Sequence, residues 1–372
     1  MINIERLIKS FIELVSIDNP SYGERAMCDF IADRLRCLGI TPFEDDTASK
    51  IGGAAGNLYA YVEGDLDLPP ILLSAHMDTV ELSCGKQAVV HDDGRITSDG
   101  KTTLGADDLS GVAAILEALT VIKSPGFNIK HRPVEVLFDP AEETYCEGIK
   151  HFDFSMIKSK EAYVFDLSES VGYAANEAPA IISFKAEFTG RAAHAGFAPE
   201  EGIHAIKAAA AAINQINCGH VGNTTVNIGT ITGGSADNIV PERCTVTGEV
   251  RSFNSDDAKM RLCEIEAIFR SVAADFSCKL DFTSKTLCDA YYVDPKHPVA
   301  QRFYKACDDI GVKATICRTY GGSDNNHFVH HGINGLVVAT GMRGCHSSRE
   351  YINSDDLALT SELILSLILS EV

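Results

Sequence analysis

The sequence predicts a two-domain α/β protein, in which a larger domain with a mixed sheet flanked by helices carries a smaller inserted α+β domain. Its 372 residues exceed the roughly 250–300 at which a single hydrophobic core usually stops growing. Short, strongly apolar runs alternate with helical periodicity over most of the chain, whereas the middle alternates apolar and polar residues. These two patterns indicate one sheet covered on both faces and another covered on a single face.

Four apolar runs have the length and composition of strands buried on both faces of a parallel or mixed sheet. They lie at 70–75, 134–138, 162–165 and 335–340. Residues 109–122 carry apolar side chains at helical spacing, and the segment from Ser354 opens with a capping serine and two aspartates before its leucine-rich end. Both segments are predicted to be helices that pack on this sheet.

The middle of the chain is predicted to be a separate small domain. Strands are expected at 180–188, 225–231 and 244–251, and helices at 202–216 and 256–276. This order describes an α+β domain with helices on one face of its sheet. Because strongly apolar strands resume afterwards, we place an inserted domain at 178–289 within a larger domain formed by 1–177 and 290–372.

The charge balance excludes two classes of partner. Against 32 Lys and Arg stand 52 Asp and Glu, which gives a formal net charge of −20. Such a surface repels phosphate backbones and anionic lipids, so nucleic acid and membrane surfaces are not expected partners. The charged first ten residues read as an amphipathic helix and not as a signal peptide. The 12 cysteines show no metal-binding or disulfide spacing, which favours reduced thiols and a cytoplasmic location.

Metal-ligand residue types follow the predicted strands. His76 and Asp78 follow the first run, Glu142 and Glu143 the second, Asp166 the third, and His346 the fourth, while Asp107 and Asp108 open a helix. Any one of these groups alone would be interpreted as part of a solvated loop. Ligands bind at the carboxyl ends of strands in such sheets, so their repetition there favours a functional site.

A cluster of this many carboxylates requires positive charge. Converging acids would raise each other's pKa values unless cations neutralised them. Mixed carboxylate and imidazole donors without thiolates suit Zn²⁺, Mn²⁺ or Co²⁺, and a carboxylate can bridge two ions roughly 3.5–4 Å apart in hydrolytic sites. The sequence therefore predicts a two-metal hydrolase.

Six segments share this content of acids, histidines and glycines: His76-Met-Asp78-Thr-Val, Gly105-Ala-Asp107-Asp108-x-x-Gly111, Glu142-Glu143-Thr, Val164-Phe-Asp166, Gly321-Gly-Ser-Asp324 and Cys345-His346-Ser-Ser-x-Glu350. In this order the chain resembles the M20 family of co-catalytic metallopeptidases, and most of all its peptidase T (tripeptide aminopeptidase) branch. The resemblance covers essentially the whole chain. It implies a zinc-peptidase-type catalytic domain and an inserted lid of the dimerisation type.

Carried over residue by residue, the resemblance assigns roles to the predicted site. It implies that His76 and Asp166 hold one zinc ion, that Glu143 and His346 hold the other, and that Asp107 bridges both. Two further carboxylates would act beside the ligands. Glu142 would be the general base, and Asp78 would accept the second ring N–H of His76 and fix its tautomer. Asp108 would shape the backbone after the bridging ligand.

The resemblance also implies substrate contacts. His194, in a turn of small residues, would stabilise the oxyanion, although a solvated histidine is the ordinary alternative. Asn238 and Arg251 match a substrate-binding segment, and Arg251 could grip a peptide carboxylate, with a plain surface arginine as the alternative. Asp324 would face the substrate's amino group.

The expected function is hydrolysis of short peptides near their N-terminus by a dizinc aminopeptidase or tripeptidase, whose lid closes over the peptide. Two divalent ions per subunit are expected, with zinc first and Mn²⁺ or Co²⁺ as alternatives. A carboxypeptidase or an N-acyl amino acid deacylase of the same architecture is an alternative, because the metal ligands alone do not distinguish these reactions. A non-catalytic metal-binding scaffold is a more distant alternative, and Glu142 argues against it. A homodimer through the lid also stays open.

Overall fold

The computed structural model describes residues 1–371. Its chain divides into two compact units. The larger unit comprises Met1–Glu177, Tyr292–Thr319 and the described residues from Ser323 on, and the smaller unit comprises Ala178–Tyr291 with Tyr320–Gly322. A mixed sheet flanked by helices builds the larger unit, and an antiparallel sheet with two helices builds the smaller one, so the predicted fold class is confirmed.

The first part of the chain alternates helices and strands of the larger unit. In chain order these are α1 (Ile4–Val15), α2 (Arg25–Cys37), β1 (Pro42–Glu44), α3 (Thr47–Ile51), β2 (Leu58–Val62), β3 (Ile71–His76), β4 (Val89–Val90), β5 (Arg95–Thr97), α4 (Ala106–Ile122), β6 (Val134–Asp139), β7 (Glu161–Leu167) and β8 (Tyr173–Ala178). All residues of α4 except Asp107 and Thr120 are buried, as expected of a helix that is apolar all round.

The smaller unit follows as β9 (Ala180–Thr189), α5 (Ala205–Ile213), β10 (Gly219–Val221), β11 (Thr224–Gly233), β12 (Arg243–Ser252), α6 (Ser255–Asp275) and β13 (Lys279–Cys288). Its sheet has the order β10-β11-β12-β9-β13 and is antiparallel throughout. Buried residues of α5 and α6 form one core with one face of this sheet.

Two details of the smaller unit correct the sequence prediction. Strands β10 and β13 were not predicted, because β10 has three residues and β13 is an edge strand whose residues are mostly polar and exposed. The helix predicted at 202–216 is shorter, since it begins at Ala205. There His204 acts as the N-cap and accepts a hydrogen bond from the Lys207 backbone N–H.

The chain ends with β14 (Tyr291–Tyr292), α7 (Pro298–Asp309), β15 (Thr315–Arg318), α8 (Asp324–His330), β16 (Asn334–Ala339), β17 (Tyr351–Asn353) and α9 (Ser354–Leu369). The main sheet runs β1-β2-β6-β3-β7-β16-β8-β14, and β15 also pairs with β8. Its central strands β6, β3, β7 and β16 are parallel neighbours. Their carboxyl ends therefore lie at one edge of the sheet, which is where the predicted ligands follow.

Within residues 1–371, no helix is both long enough and apolar enough to cross a membrane.

Candidate metal centre

Three predicted ligands of the larger unit meet at the carboxyl ends of β3 and β7. His76 Nε2 lies 3.2 Å from Asp107 Oδ1 and 3.9 Å from Asp166 Oδ1. His76 is 1% exposed, and the two carboxylate side chains are 12% and 13% exposed. One donor atom from each residue lies within 4.8 Å of the other two, so this group could hold a cation.

A second group shares Asp107 with the first. His346 Nε2 lies 3.3 Å from the other oxygen of Asp107, Oδ2, and 3.0 Å from Glu143 Oε2. Among the described residues, the buried Glu143 Oε1 has no hydrogen-bond partner. A buried carboxylate oxygen without a donor is costly unless a cation or a proton satisfies it, so the donor set fits a second ion. The two oxygens of Asp107 thus face two separate donor groups.

Asp78 connects the first group to the following acidic loop. His76 Nδ1 lies 3.0 Å from the Asp78 backbone oxygen and 3.3 Å from its Oδ1. The Asp78 carboxylate also accepts the backbone N–H groups of Glu142 and Glu143 at 3.0 and 3.2 Å. Asp78 therefore orients an imidazole and, in addition, holds the backbone of the loop that carries the predicted base.

The backbone departs from helical geometry at Asp107, the residue that the two donor groups share. Asp107 and Asp108 have non-helical dihedral angles within the first turn, and the peptide bond between them is cis. The fully buried Asp108 carboxylate accepts the backbone N–H groups of His76 and Gly111, both at 3.2 Å. Asp108 thereby ties the start of α4 to the end of β3.

Electrostatics in this cluster favour added positive charge. Burial, followed by the nearby charges of Asp107 and Glu142, raises the pKa of Asp166 well above its usual range. Burial also raises the pKa values of Glu142 and Glu143. Conversely, hydrogen bonds to Asp107 and Glu143 raise the pKa of His346 to about 10. The imidazoles retain protons because the surrounding carboxylates attract any positive charge.

Asp324 lies in a third group, beside the predicted base. Its carboxylate is 1% exposed and lies close to Glu142 and Cys146. Burial raises the pKa of Asp324, and Asp139 is the neighbouring carboxyl group. The contact of Asp324 with a substrate's amino group stays a prediction.

The sequence reasoning missed an N-terminal loop that holds these segments in place. Asn19 Nδ2 donates to the Met77 backbone oxygen at 2.6 Å, and Ser21 Oγ donates to Asp78 Oδ2 at 2.6 Å. The buried Glu24 accepts the backbone N–H of Ala141, directly before the acidic pair, at 3.0 Å. These polar residues follow a helix and not a predicted strand, so a search for ligand residues after the apolar runs does not find them.

Lys86 also holds this N-terminal loop in place. Its buried ammonium group donates to the backbone oxygens of Ile17 and Ser83, both at 2.8 Å, and to Asn19 Oδ1. Three acceptors satisfy all three N–H donors of the ammonium group.

The substitution Lys86→Met is therefore expected to lower the free energy of unfolding by about 2 kcal/mol, because it leaves buried acceptors without a donor. Urea unfolding monitored by circular dichroism measures this change. Lys101→Met is the matched control, because the Lys101 side chain is 84% exposed and should leave the urea midpoint unchanged. Equal midpoints for the two variants would contradict the anchoring role.

In the smaller unit, His194 and Asn238 lie on adjoining segments. The Ala195 N–H donates to the Asn238 backbone oxygen at 2.9 Å. His194 Nδ1 accepts the backbone N–H groups of Gly196 and Phe197, both at 3.1 Å. Because Nδ1 is an acceptor, the ring proton of the neutral imidazole is on Nε2. Among the described residues, the Nε2 N–H of the exposed His194 has no hydrogen-bond acceptor.

Arg251 is more constrained than a surface arginine. Its Nε and Nη2 donate to the two oxygens of Glu249 at 2.7 and 3.1 Å, and its Nη1 donates to the Tyr320 backbone oxygen at 2.8 Å. Of the five guanidinium N–H donors, these bonds use three. Within residues 1–371, the two remaining donors, one on each Nη atom, have no acceptor, so a carboxylate could bind them.

Comparisons with known proteins agree with this geometry. The model for the M20 peptidase dimerisation domain matches residues 176–277, and the model for peptidase family M28 matches residues 57–194. The crystal structure of aminopeptidase PepT from Bacillus cereus ATCC 10987 is 33% identical, with a TM-score of 0.90, over 99% of this chain and 98% of that one. The chain belongs to the M20 family of metallopeptidases. Within it, the chain is a member of the peptidase T-like branch.

Two other relatives of this M20 peptidase are similarly close. A tripeptidase from Staphylococcus aureus Mu50 superposes with a TM-score of 0.94 at 31% identity, over 99% of this chain and 98% of that one. The uncharacterized protein YqjE of Bacillus subtilis strain 168 is 33% identical over 369 residues and 99% of both chains. Membership of this family makes the chain a metal-dependent hydrolase of the peptidase type.

Proposed function

We propose that this M20 peptidase removes the N-terminal residue from short peptides, with tripeptides as the preferred class. The observation that carries the proposal is the shared position of Asp107, whose two oxygens face separate imidazole and carboxylate groups beside the acidic loop of Glu142. The Bacillus cereus and Staphylococcus aureus relatives, named an aminopeptidase and a tripeptidase, support the substrate class.

The proposed metal ligands are the five clustered side chains. His76 and Asp166 would hold one divalent ion, Glu143 and His346 the other, and Asp107 both. Imidazole and carboxylate donors suit zinc, and because no thiolate is among them Mn²⁺ or Co²⁺ would also be accepted. When bound, the ions would polarise the scissile carbonyl group and lower the pKa of the attacking water.

Glu142 is the proposed general base. Its backbone N–H is held by Asp78, and Cys146 Sγ donates to its Oε1 at 3.3 Å. Since Oε1 already accepts a hydrogen bond, we assign proton transfer to Oε2. Burial raises the pKa of Glu142, which favours retention of the proton until it is passed to the leaving amine.

Three residues of the smaller unit are the proposed substrate contacts. His194 would donate from Nε2 to the oxyanion, because its Nδ1 is already occupied by two backbone N–H groups. Asn238 lies on the adjoining segment, and Arg251 retains two donors for the peptide's terminal carboxylate. We further propose that the inserted domain, 178–289, forms a homodimer, which the match to the M20 dimerisation domain supports.

A mass-spectrometric substrate panel tests the proposal. Zinc-loaded protein is incubated with free di- and tripeptides, N-acetylated tripeptides and N-acyl amino acids, beside a chelated control. We expect release of the N-terminal residue from free tripeptides, and no cleavage of the acetylated peptides. Cleavage of N-acyl amino acids instead would identify a deacylase, and release of the C-terminal residue would identify a carboxypeptidase. Hydrolysis of no substrate would support the scaffold alternative.

A further inference from the structure

Glu350 is a buried carboxylate that the proposed chemistry does not use. It is 1% exposed and accepts three backbone N–H groups from the segment that leads to the bridging aspartate. Its Oε2 accepts from Leu104 and Gly105 at 2.8 and 2.7 Å, and its Oε1 accepts from Asp107 at 2.9 Å. The first turn of a helix has no backbone acceptors for its N–H groups, so an anionic side chain is a favourable partner there.

The same carboxylate lies four residues after a second proposed ligand. The segment from His346 to Glu350 belongs to a loop closed at its base, where Arg343 and Tyr351 exchange two backbone hydrogen bonds of 2.9 Å. Within the loop, the Glu350 N–H donates to the Ser347 oxygen at 3.1 Å. Glu350 therefore joins two segments that are about 240 residues apart in sequence and whose ligand atoms lie 3.3 Å apart.

We infer that Glu350 is a positioning residue for metal binding, which fixes Asp107 relative to His346 through three backbone hydrogen bonds. This inference rests on the proposed function, because it takes those two residues as ligands. A carboxylate is required chemically, since both of its oxygens act as acceptors. In Glu350→Gln, one amide orientation directs an NH₂ group at the Asp107 N–H, and the other directs it at the Leu104 and Gly105 N–H groups.

Metal affinity, and not activity alone, tests this role. Metal-stripped protein competes for Zn²⁺ with a chromophoric chelator, which reports both stoichiometry and affinity. The wild type is expected to bind two ions. Glu350→Gln is expected to bind zinc about 10- to 100-fold more weakly, as is typical when a residue that orients a ligand is replaced. The larger loss of affinity is expected for the ion that Asp107, Glu143 and His346 would hold, because this ion has ligands on both joined segments.

Glu135→Gln is the matched control. Glu135 is also a fully buried carboxylate with three donors, which are the Tyr59 hydroxyl at 2.6 Å and the Lys158 and Ser159 N–H groups at 2.8 and 2.7 Å. It lies at the opposite end of β6 from the acidic loop. This variant is expected to lose stability but to keep the wild-type zinc affinity.

The outcomes separate the inference from the proposed function. If the wild type binds no zinc, the proposed metal centre fails, and the positioning role fails with it. If the wild type binds two ions and Glu350→Gln binds them equally well, or Glu135→Gln weakens binding as much, only the positioning role is overturned. If Glu350→Gln does not fold, Glu350→Asp carries the test. Aspartate keeps the negative charge, but its side chain is shorter by one methylene group. Weaker zinc binding by this variant supports the positioning role, and unchanged zinc binding overturns it.

Discussion

The substitution Glu142→Gln is expected to reduce kcat for tripeptide hydrolysis by about 10²- to 10⁴-fold, the range that general base catalysis typically contributes. The amide keeps the shape of the side chain but cannot accept a proton from water or return one to the leaving amine. None of the five proposed ligands is changed, so the variant should still bind two metal ions. Initial rates by mass spectrometry and metal content by elemental analysis measure the two quantities separately.

Glu147→Gln is the control for this experiment, because Glu147 lies in the same loop and pairs with Lys150 at 3.1 Å near the surface. It should retain the wild-type rate. A Glu142→Gln enzyme that keeps both its metal ions and its full rate would remove Glu142 from the mechanism. A variant that loses its ions as well would show that the glutamate acts as a ligand.

Removal of the metal ions is expected to lower the free energy of unfolding by about 5 kcal/mol, for two ions each present at about 100 times its dissociation constant. The reason is the enclosed set of carboxylates, which repel one another when no cation lies between them. Thermal unfolding with and without a chelator measures the change. An unchanged Tm would contradict the proposed metal centre.

The destabilisation by chelation is also expected to depend on pH. With no cation present, burial raises the pKa values of Asp166, Glu142 and Glu143 above their unfolded values. Groups of this kind contribute stability at acid pH that is lost as the pH rises through their folded pKa values. The raised pKa of His346 likewise makes the folding stability fall as the pH rises. The lowered pKa of Asp107 changes the stability only below about pH 4. The chelated protein's Tm should therefore fall as the pH rises above about 4.5, the ordinary carboxyl range, and continue to fall towards the raised pKa of His346, about 10.

Over the same range, the zinc-loaded protein should become more stable relative to the chelated one, because protons compete with ions for the ligands. The difference between the two Tm values is therefore expected to widen with pH. A difference that narrows instead would show that the carboxylates do not titrate as a metal-binding cluster. Repeating the series at higher ionic strength separates this effect from screening of the acidic surface.

The metal-ligand cluster could be predicted because of one physical regularity. Parallel strands place their carboxyl ends at one edge of the sheet, so the positions of His76 and Asp166 after two predicted strands placed both at that edge. Their assignment to one ion came from the family resemblance. The acidic pair follows β6 for the same reason. This part of the site depends on where the strands end, which apolar runs reveal, and on strand order, which they do not.

The supporting contacts could not be predicted in this way. Asn19, Lys86 and Glu24 bind mostly to backbone atoms, and a backbone donor or acceptor leaves no mark in the sequence of its partner. The burial of Asp324 could not be predicted either, since an acid in a glycine-rich turn gives no sign of its burial. By contrast, the Glu249 partner of Arg251 was predictable, because residues two apart in a strand lie on the same face.

Anomalous scattering from zinc-soaked crystals tests the central claim most directly. Difference maps collected on either side of the zinc absorption edge should show two peaks, one among His76, Asp107 and Asp166 and the other among Asp107, Glu143 and His346. Both peaks should be absent from Asp107→Ala crystals treated in the same way. Maps with no peak beside Asp107, or with one peak that does not contact it, would contradict the assignment of this protein as a two-metal peptidase.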